Sequence, residues 1–166
     1  MIIGKDISII GFQVEFVKKI ITPHGVFNLM IDQDLVLGGG VLVDLYSVIH
    51  FLKDSLSEGL ARLELGKVPE IGSVLLSEID LSEGTPDSLI YLDFGELSNR
   101  GCVFHLGFNG GEERLIYSLD SEKTYQERKY PKGTIKDLIE ALPNCDELEI
   151  RRCSEMVLIT DIKNKF

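Results

Sequence analysis

The sequence predicts an α+β fold: a largely antiparallel twisted sheet, built from an N-terminal meander and a central hairpin and packed with two helices. Three observations carry this reading. Runs in strand rhythm come in two groups, over residues 7–37 and 89–119. Apolar residues spaced at three and four recur twice, from Leu42 and from Thr134. The resulting order, β-β-β-α-β…β-α-β, is not the steady βαβα alternation that marks a parallel sheet.

The central group is the organising stretch. Its runs cover residues 89–94, 102–108 and 113–119, and the last two are joined through Asn109-Gly110-Gly111. Asn-Gly between alternating runs is a strong hairpin signal, because a type I′ turn needs φ > 0 at both central residues. A turn on Asn109-Gly110 sets Phe104 opposite Leu115 and His105 opposite Arg114. A turn on Gly110-Gly111 slips the pairing by two. Either way Phe104, Leu106 and Phe108 share a face with Leu115 and Tyr117, since a slip of two preserves facing.

In the first group, residues 7–21 alternate, with Ile10, Phe12, Val14 and Phe16 on one side. Thr22-Pro23-His24-Gly25 is read as a break, residues 26–31 as a second strand, and Asp32-Gln33-Asp34 as a turn into Leu35-Val36-Leu37. Gly38, Gly39 and Gly40 end the strand rhythm. From Leu42 the stripe Leu42, Leu45, Ile49, Leu52 and Leu56, widened by Val48 and Phe51, predicts a helix with Gly59 as its closing C′ residue. Residues 60–65 fit either a further helical turn or a short strand. Residues 74–79 read as a short strand and residues 82–87 as an exposed loop. Residues 121–132 read as a strand fraying into a loop. Thr134 with Asp137 makes a capping-box-like start to the second helix. Ile135, Leu138, Ile139 and Leu142 form its stripe, and Pro143 stops it. Residues 148–152 and 156–162 close the set of strands, and residues 163–166 read as a loose tail.

At 166 residues and 44% apolar content the chain is expected to form one domain with a real core. No apolar run approaches the ~20 residues of a membrane helix. The start Met1-Ile2-Ile3-Gly4-Lys5-Asp6 lacks the regions of a signal peptide, so the expected location is cytoplasmic. Cys102, Cys145 and Cys153 are an odd, small set that fits free thiols in a reducing compartment. A net charge of −10 opposes nucleic acid and anionic membrane and favours a basic partner.

Reactive constellations are weak. His24, His50, His105, Cys102 and Cys145 are ligand types, but no C-x-x-C or H-x-x-x-H occurs, and no metal or cofactor is expected. Cys102 and His105 are three apart in a strand and point to opposite faces. His50 reads as a partly buried histidine. Gly38, Gly39 and Gly40 could hold an anion before a helix, yet neither G-x-G-x-x-G nor G-K-[ST] follows, and three glycines turning a corner is the better reading. A small-molecule or enzymatic site near Gly38, Gly39, Gly40 and His50 stands as the alternative function. No nucleophile elbow occurs, and no catalytic residue is assigned. Asp32, Asp34, Glu112 and Glu113 read as solvated turn carboxylates. Lys123, Arg128, Lys129, Lys132 and Lys136 form a mild basic stretch, diluted by Glu122 and Glu127.

Residues 68–99 are the compositional anomaly. They carry Glu70, Glu78, Asp80, Glu83, Asp87, Asp93 and Glu96 and no Lys or Arg. Such a surface can speed capture of a basic protein and compete for the cations that hold its nucleic acid. A plain solvated face accounts for it equally well.

The opening Met1-Ile2-Ile3-Gly4, the alternating Phe12-Gln13-Val14-Glu15-Phe16, the run Gly25-Val26-Phe27-Asn28-Leu29-Met30-Ile31 and the helix from Leu42 resemble bacterial immunity proteins of polymorphic-toxin and contact-dependent growth-inhibition loci. Leu115-Ile116-Tyr117 and the helix ending Leu142-Pro143 fit the same layout, so the resemblance spans most of the chain. It implies a non-enzymatic inhibitor that binds the C-terminal domain of a cognate toxin, with this chain a monomer or weak dimer. Electrostatics adds that the toxin is a basic nuclease. It also singles out Glu78, Asp80, Glu83, Asp87, Asp93 and Glu96 as the expected contact residues.

Overall fold

The computed structural model describes residues 1–19, 21–154 and 158–163. The fold is α+β and antiparallel throughout. The first sheet runs β1 (Ile2–Ile3), β2 (Ile10–Lys19), β3 (Pro23–Ile31) and β4 (Asp34–Leu37), with β5 (Leu42–Asp44) also paired to β3. The long helix α1 (Leu45–Glu64) follows. The second sheet runs β6 (Ile90–Leu92), β7 (Val103–Asn109), β8 (Glu112–Ser118) and β9 (Gln126–Pro131). Helix α2 (Thr134–Glu140) and the hairpin β10 (Leu148–Arg152) and β11 (Leu158–Ile162) complete the chain. Ile20 of the first expected strand, Met156 and Val157 of the last, and residues 164–166 of the expected tail lie outside the described residues.

Both sheets turn their apolar faces toward α1. The core runs ring to ring between them: Phe12 and Phe27 pack at 5.0 Å, both reach Phe94, and Phe94 meets Phe104 at 4.7 Å. Phe104 then stacks on Tyr117 at 5.5 Å. Leu45, Val48, Ile49, Leu52 and Leu56 close this core from the helix.

Several local expectations are corrected. Pro23, His24 and Gly25 continue β3 rather than break it; proline is tolerated as the first residue of a strand, and Gly25 admits the close approach of the Glu15 carbonyl and Leu45. Leu42 belongs to β5, pairing with Val26, so the helix starts at Leu45 behind the N-cap Asp44. The Asp44 carboxylate accepts from the Tyr46 and Ser47 amides. Phe51 is exposed, not part of the buried stripe. The central turn is Gly110-Gly111, with Phe104 opposite Tyr117. Only Gly110 has positive φ, which is the pattern of a type II′ turn, and the shared apolar face survives the slip. Residues 74–79 hold a 3-10 turn over Leu76–Glu78, not a strand. Helix α2 follows Gly133, and the Thr134 hydroxyl donates to the Pro131 carbonyl instead of capping.

Glu113 supplies the missing cap. Its carboxylate, read from the sequence as solvated, is 1% exposed and accepts from the Gly133 and Ile135 amides at 2.6 and 2.8 Å. Burial raises its pKa, and the two amide bonds pull the other way. Bonds from amides satisfy donors that a helix start otherwise leaves orphaned.

Gly59 does not end α1. It sits buried inside the helix, where an added Cβ would stand 2.1 Å from Ile90 Cγ2. Its missing side chain lets α1 cover the edge strand β6 closely. Gly59→Val is therefore expected to lose about 2–3 kcal/mol in urea unfolding by overpacking. An unchanged midpoint would mean that helix and strand separate freely.

Candidate functional site

The carboxylates of residues 68–99 fall on two surfaces. Residues 68–89 form a strap over the outer face of the second sheet. Ile71, Leu81 and Leu89 bury a second, smaller core there with Ile116. Gly107 leaves room for it, since a Cβ would meet Leu89 and Ile71 at about 3 Å. The Ile71 and Gly72 amides donate to the Phe108 carbonyl. Arg114, 1% exposed, pins the strap from below: it makes a bidentate ion pair with Glu127 and donates to the Gly72 carbonyl at 2.9 Å. A buried guanidinium needs such full pairing to offset its desolvation.

Between the strap and residues 122–127 lies an open groove of about 990 Å³, lined by Leu75, Ile79, Asp80, Glu122, Tyr125 and Glu127 among others, and by no Lys or Arg. Asp80 accepts from the Ser82 amide and hydroxyl, which hold its carboxyl below the usual range and keep it ionised. Glu122 accepts from the Tyr125 hydroxyl at 3.0 Å; burial and that bond push Tyr125 up to about 12. Glu78 accepts from the Leu75 amide and borders the adjoining hollow with Glu70. Glu83 is exposed in the loop above.

The second surface is the seam along α1. Residues 87–96 run antiparallel to the helix, fixed at five points. The Asp44 amide donates to Glu96 at 3.3 Å, Gly95 lies on Ser47, and the Asp93 amide donates to the Ser55 hydroxyl at 2.9 Å. Ile90 meets Gly59, and Arg62 lies 3.9 Å from Asp87. So Asp80 lines the strap groove and Glu78 the hollow beside it, while Asp87, Asp93 and Glu96 mark the seam. The six expected residues do not form one cluster.

Sequence reasoning missed Glu122, Tyr125 and Glu127 in the groove, and Arg114 beneath it. The signal was present: Ile116 and His105 alternate away from the core face of the hairpin, which implies that the second face is covered as well.

The other candidate groups find local roles. His50 is exposed, not partly buried, and lies 3.2 Å from Asp54. The Gly40 amide donates to Asn28 Oδ1, and Gly38 packs on the Phe27 carbonyl, so the triple-glycine corner is occupied by the chain itself. The Cys145 thiol is buried, donates to the Leu45 carbonyl and is pushed up to about 11, chiefly by burial. All three cysteines are free. Asp32 pairs with Arg128 at 2.7 Å, and Lys136 with Glu140 at 3.0 Å, which breaks up the basic stretch. Among the described residues, no three or more His, Cys, Asp or Glu are grouped to hold a metal ion, and no helix is long and apolar enough to cross a membrane.

The fold, with its two larger antiparallel sheets packed on one long helix, is similar to that of the crystal structure of CdiI from Burkholderia dolosa AUO158. The two superpose with a TM-score of 0.60 at 13% identity, covering 84% of this chain and 96% of that one. A comparison with curated proteins found no match. The family model described as Immunity protein 42 matches residues 1–145, and the chain belongs to that family.

His105 beneath the strap gives a pH test. It is 3% exposed, its Nδ1 has no partner among the described residues, and burial pushes its pKa down to about 4. Between pH 6.5 and 4 the unfolded chain binds the proton and the folded chain does not, so stability falls as pH falls through this window. The full loss is about 3 kcal/mol. Glu113, with a raised pKa, acts in the opposite sense, so the comparison is with His105→Phe, not with zero slope. Urea titrations at pH 7 and pH 4 should show a smaller acid loss for His105→Phe; equal losses would mean that His105 titrates normally.

Proposed function

We infer that this chain is a non-enzymatic immunity protein that binds and neutralises a cognate toxin domain in the cytoplasm of the producing bacterium, and that the toxin is a basic nuclease. The observation that carries the reading is the family match over residues 1–145. The net charge of −10 supports a cationic partner, and the groove without a cation supports protein capture over nucleic-acid or membrane binding. An inhibitor complex of this kind buries about 1,600 Å² in total. The alternative, a small-molecule site near Gly38, Gly39, Gly40 and His50, draws no support from the geometry: the corner's Gly40 amide is spent on Asn28, and His50 lies exposed against Asp54.

Carboxylates that stay in water at the rim of a contact act on encounter more than on the lifetime of a complex. Asp80 and Glu83 on the strap and Asp87 where the strap meets the seam are exposed; Asp80 holds Ser82 and Asp87 lies 3.9 Å from Arg62, both at the surface, so their reversal leaves the core alone. The expected result of a combined Asp80→Lys, Glu83→Lys and Asp87→Lys variant is association with the cognate toxin slowed about tenfold at low salt, with a flatter salt dependence. Stopped-flow fluorescence reads this directly. Association at the wild-type rate would remove the strap from the encounter, and a wild-type chain that neither binds nor protects against the toxin would remove the function itself.

A further inference from the structure

The seam along α1 carries more than charge. Tyr46 and Phe51 are exposed by 47% and 45%, large aromatic areas left open on an otherwise well-packed helix. They belong to one row of rings. Tyr46 lies 5.2 Å from His50, and His50 lies 5.8 Å from Phe51. Phe51 stands between Ser47 and Ser55 in the i, i+4 row that faces Gly95 and Asp93. Phe51 therefore borders the segment that carries Asp93 and Glu96, and His50 and Tyr46 continue the rings one row further out. Asp54 and Glu58 extend the acidic side on the helix itself, both exposed. Of the helix's own Lys and Arg, Lys53 turns away to donate to the Leu142 carbonyl at 2.6 Å, and Arg62 closes the far end of the strip against Asp87. From Asp44 to Arg62 the strip is about 27 Å long at 1.5 Å per residue.

Half-exposed aromatic rings beside carboxylates whose partners are the His50 ring and backbone amides, and among the described residues no Lys or Arg, match one kind of occupant. A guanidinium or ammonium group gains from the ring face and from the carboxylate together, and aromatic residues and arginine dominate the energetic centres of protein interfaces. We propose that the α1 seam, with Tyr46 and Phe51 as anchors and Asp54, Asp93 and Glu96 as flanking carboxylates, is the surface that holds an Arg- or Lys-bearing segment of the toxin. This rests on the immunity reading and deepens it. The strap speeds the encounter, and the seam sets the lifetime of the complex.

The two roles separate kinetically. Surface plasmon resonance with the cognate toxin domain immobilised would compare the wild type with Tyr46→Ala/Phe51→Ala, with Asp54→Lys, and with Leu35→Ala. Leu35 is an equally exposed apolar residue on β4, away from the seam, and serves as the control. Far-ultraviolet dichroism and a melting curve establish that each variant is folded, and Asp54→Lys tests the surface without removing any apolar area. The expected result is dissociation at least tenfold faster for the double variant and for Asp54→Lys, little change in the double variant's association rate, and no change for Leu35→Ala. Wild-type dissociation in both seam variants overturns the proposal while leaving the immunity function standing. So does a finding that the seam joins two copies of this chain, seen as a sedimenting dimer that the double variant abolishes while toxin binding persists. A wild-type chain that does not bind the toxin overturns the immunity reading, and the seam assignment falls with it.

Discussion

The close approach of α1 to the edge strand β6 through Gly59 is the contact on which the arrangement depends. Where most helices present a side chain, this one presents backbone, and Ile90 fills the space. That contact lays the return segment, residues 87–96, along the helix. It brings Phe94 into the core between Phe27 and Phe104, and so joins the two sheets by one path of aromatic packing. It also leaves Asp93 and Glu96 beside the exposed rings of α1. Core and surface are thus fixed by the same close approach.

The strap answers a different constraint. A four-stranded sheet with one face on the core still has another face, and here that face carries Ile116, His105 and Arg114. Leaving Ile116 in water would waste apolar burial, and covering Arg114 unpaired would cost several kcal/mol. The strap resolves both: Ile71, Leu81 and Leu89 cover Ile116, while Glu127 and the Gly72 carbonyl pair the guanidinium. With Ile71, Leu81 and Leu89 turned inward, the strap exposes its carboxylates, together with Val74 and Leu75. Its acidity is the solvent side of a segment whose other side is core.

Much of this was legible in the sequence. The fold class, the meander, the hairpin and the shared face of Phe104, Leu106, Phe108, Leu115 and Tyr117 followed from side-chain parity, which a register slip of two cannot disturb. What escaped depended on distant partners. Glu113 looked like a turn carboxylate because nothing local says that a helix start, twenty residues on, will meet it. Gly59 looked like a terminator because glycine's use as a spacer shows only against Ile90. The acidic stretch was visible as composition, but its division into a strap and a seam was not, since that division depends on which residues α1 covers. Glu127 comes to the groove by the pairing of β9 with β8, and Glu122 and Tyr125 by the loop that joins those strands, contacts that composition does not report.

The central claim is that a rigid frame offers two acidic surfaces to one cationic toxin and performs no reaction of its own. Hydrogen exchange of the backbone amides, followed with and without saturating toxin domain, tests it most directly. Added protection is expected over residues 45–62 and 76–96, and none over the outer strands β1 and β4. Protection centred on β1 and β4, with the helix and strap unchanged, would contradict it.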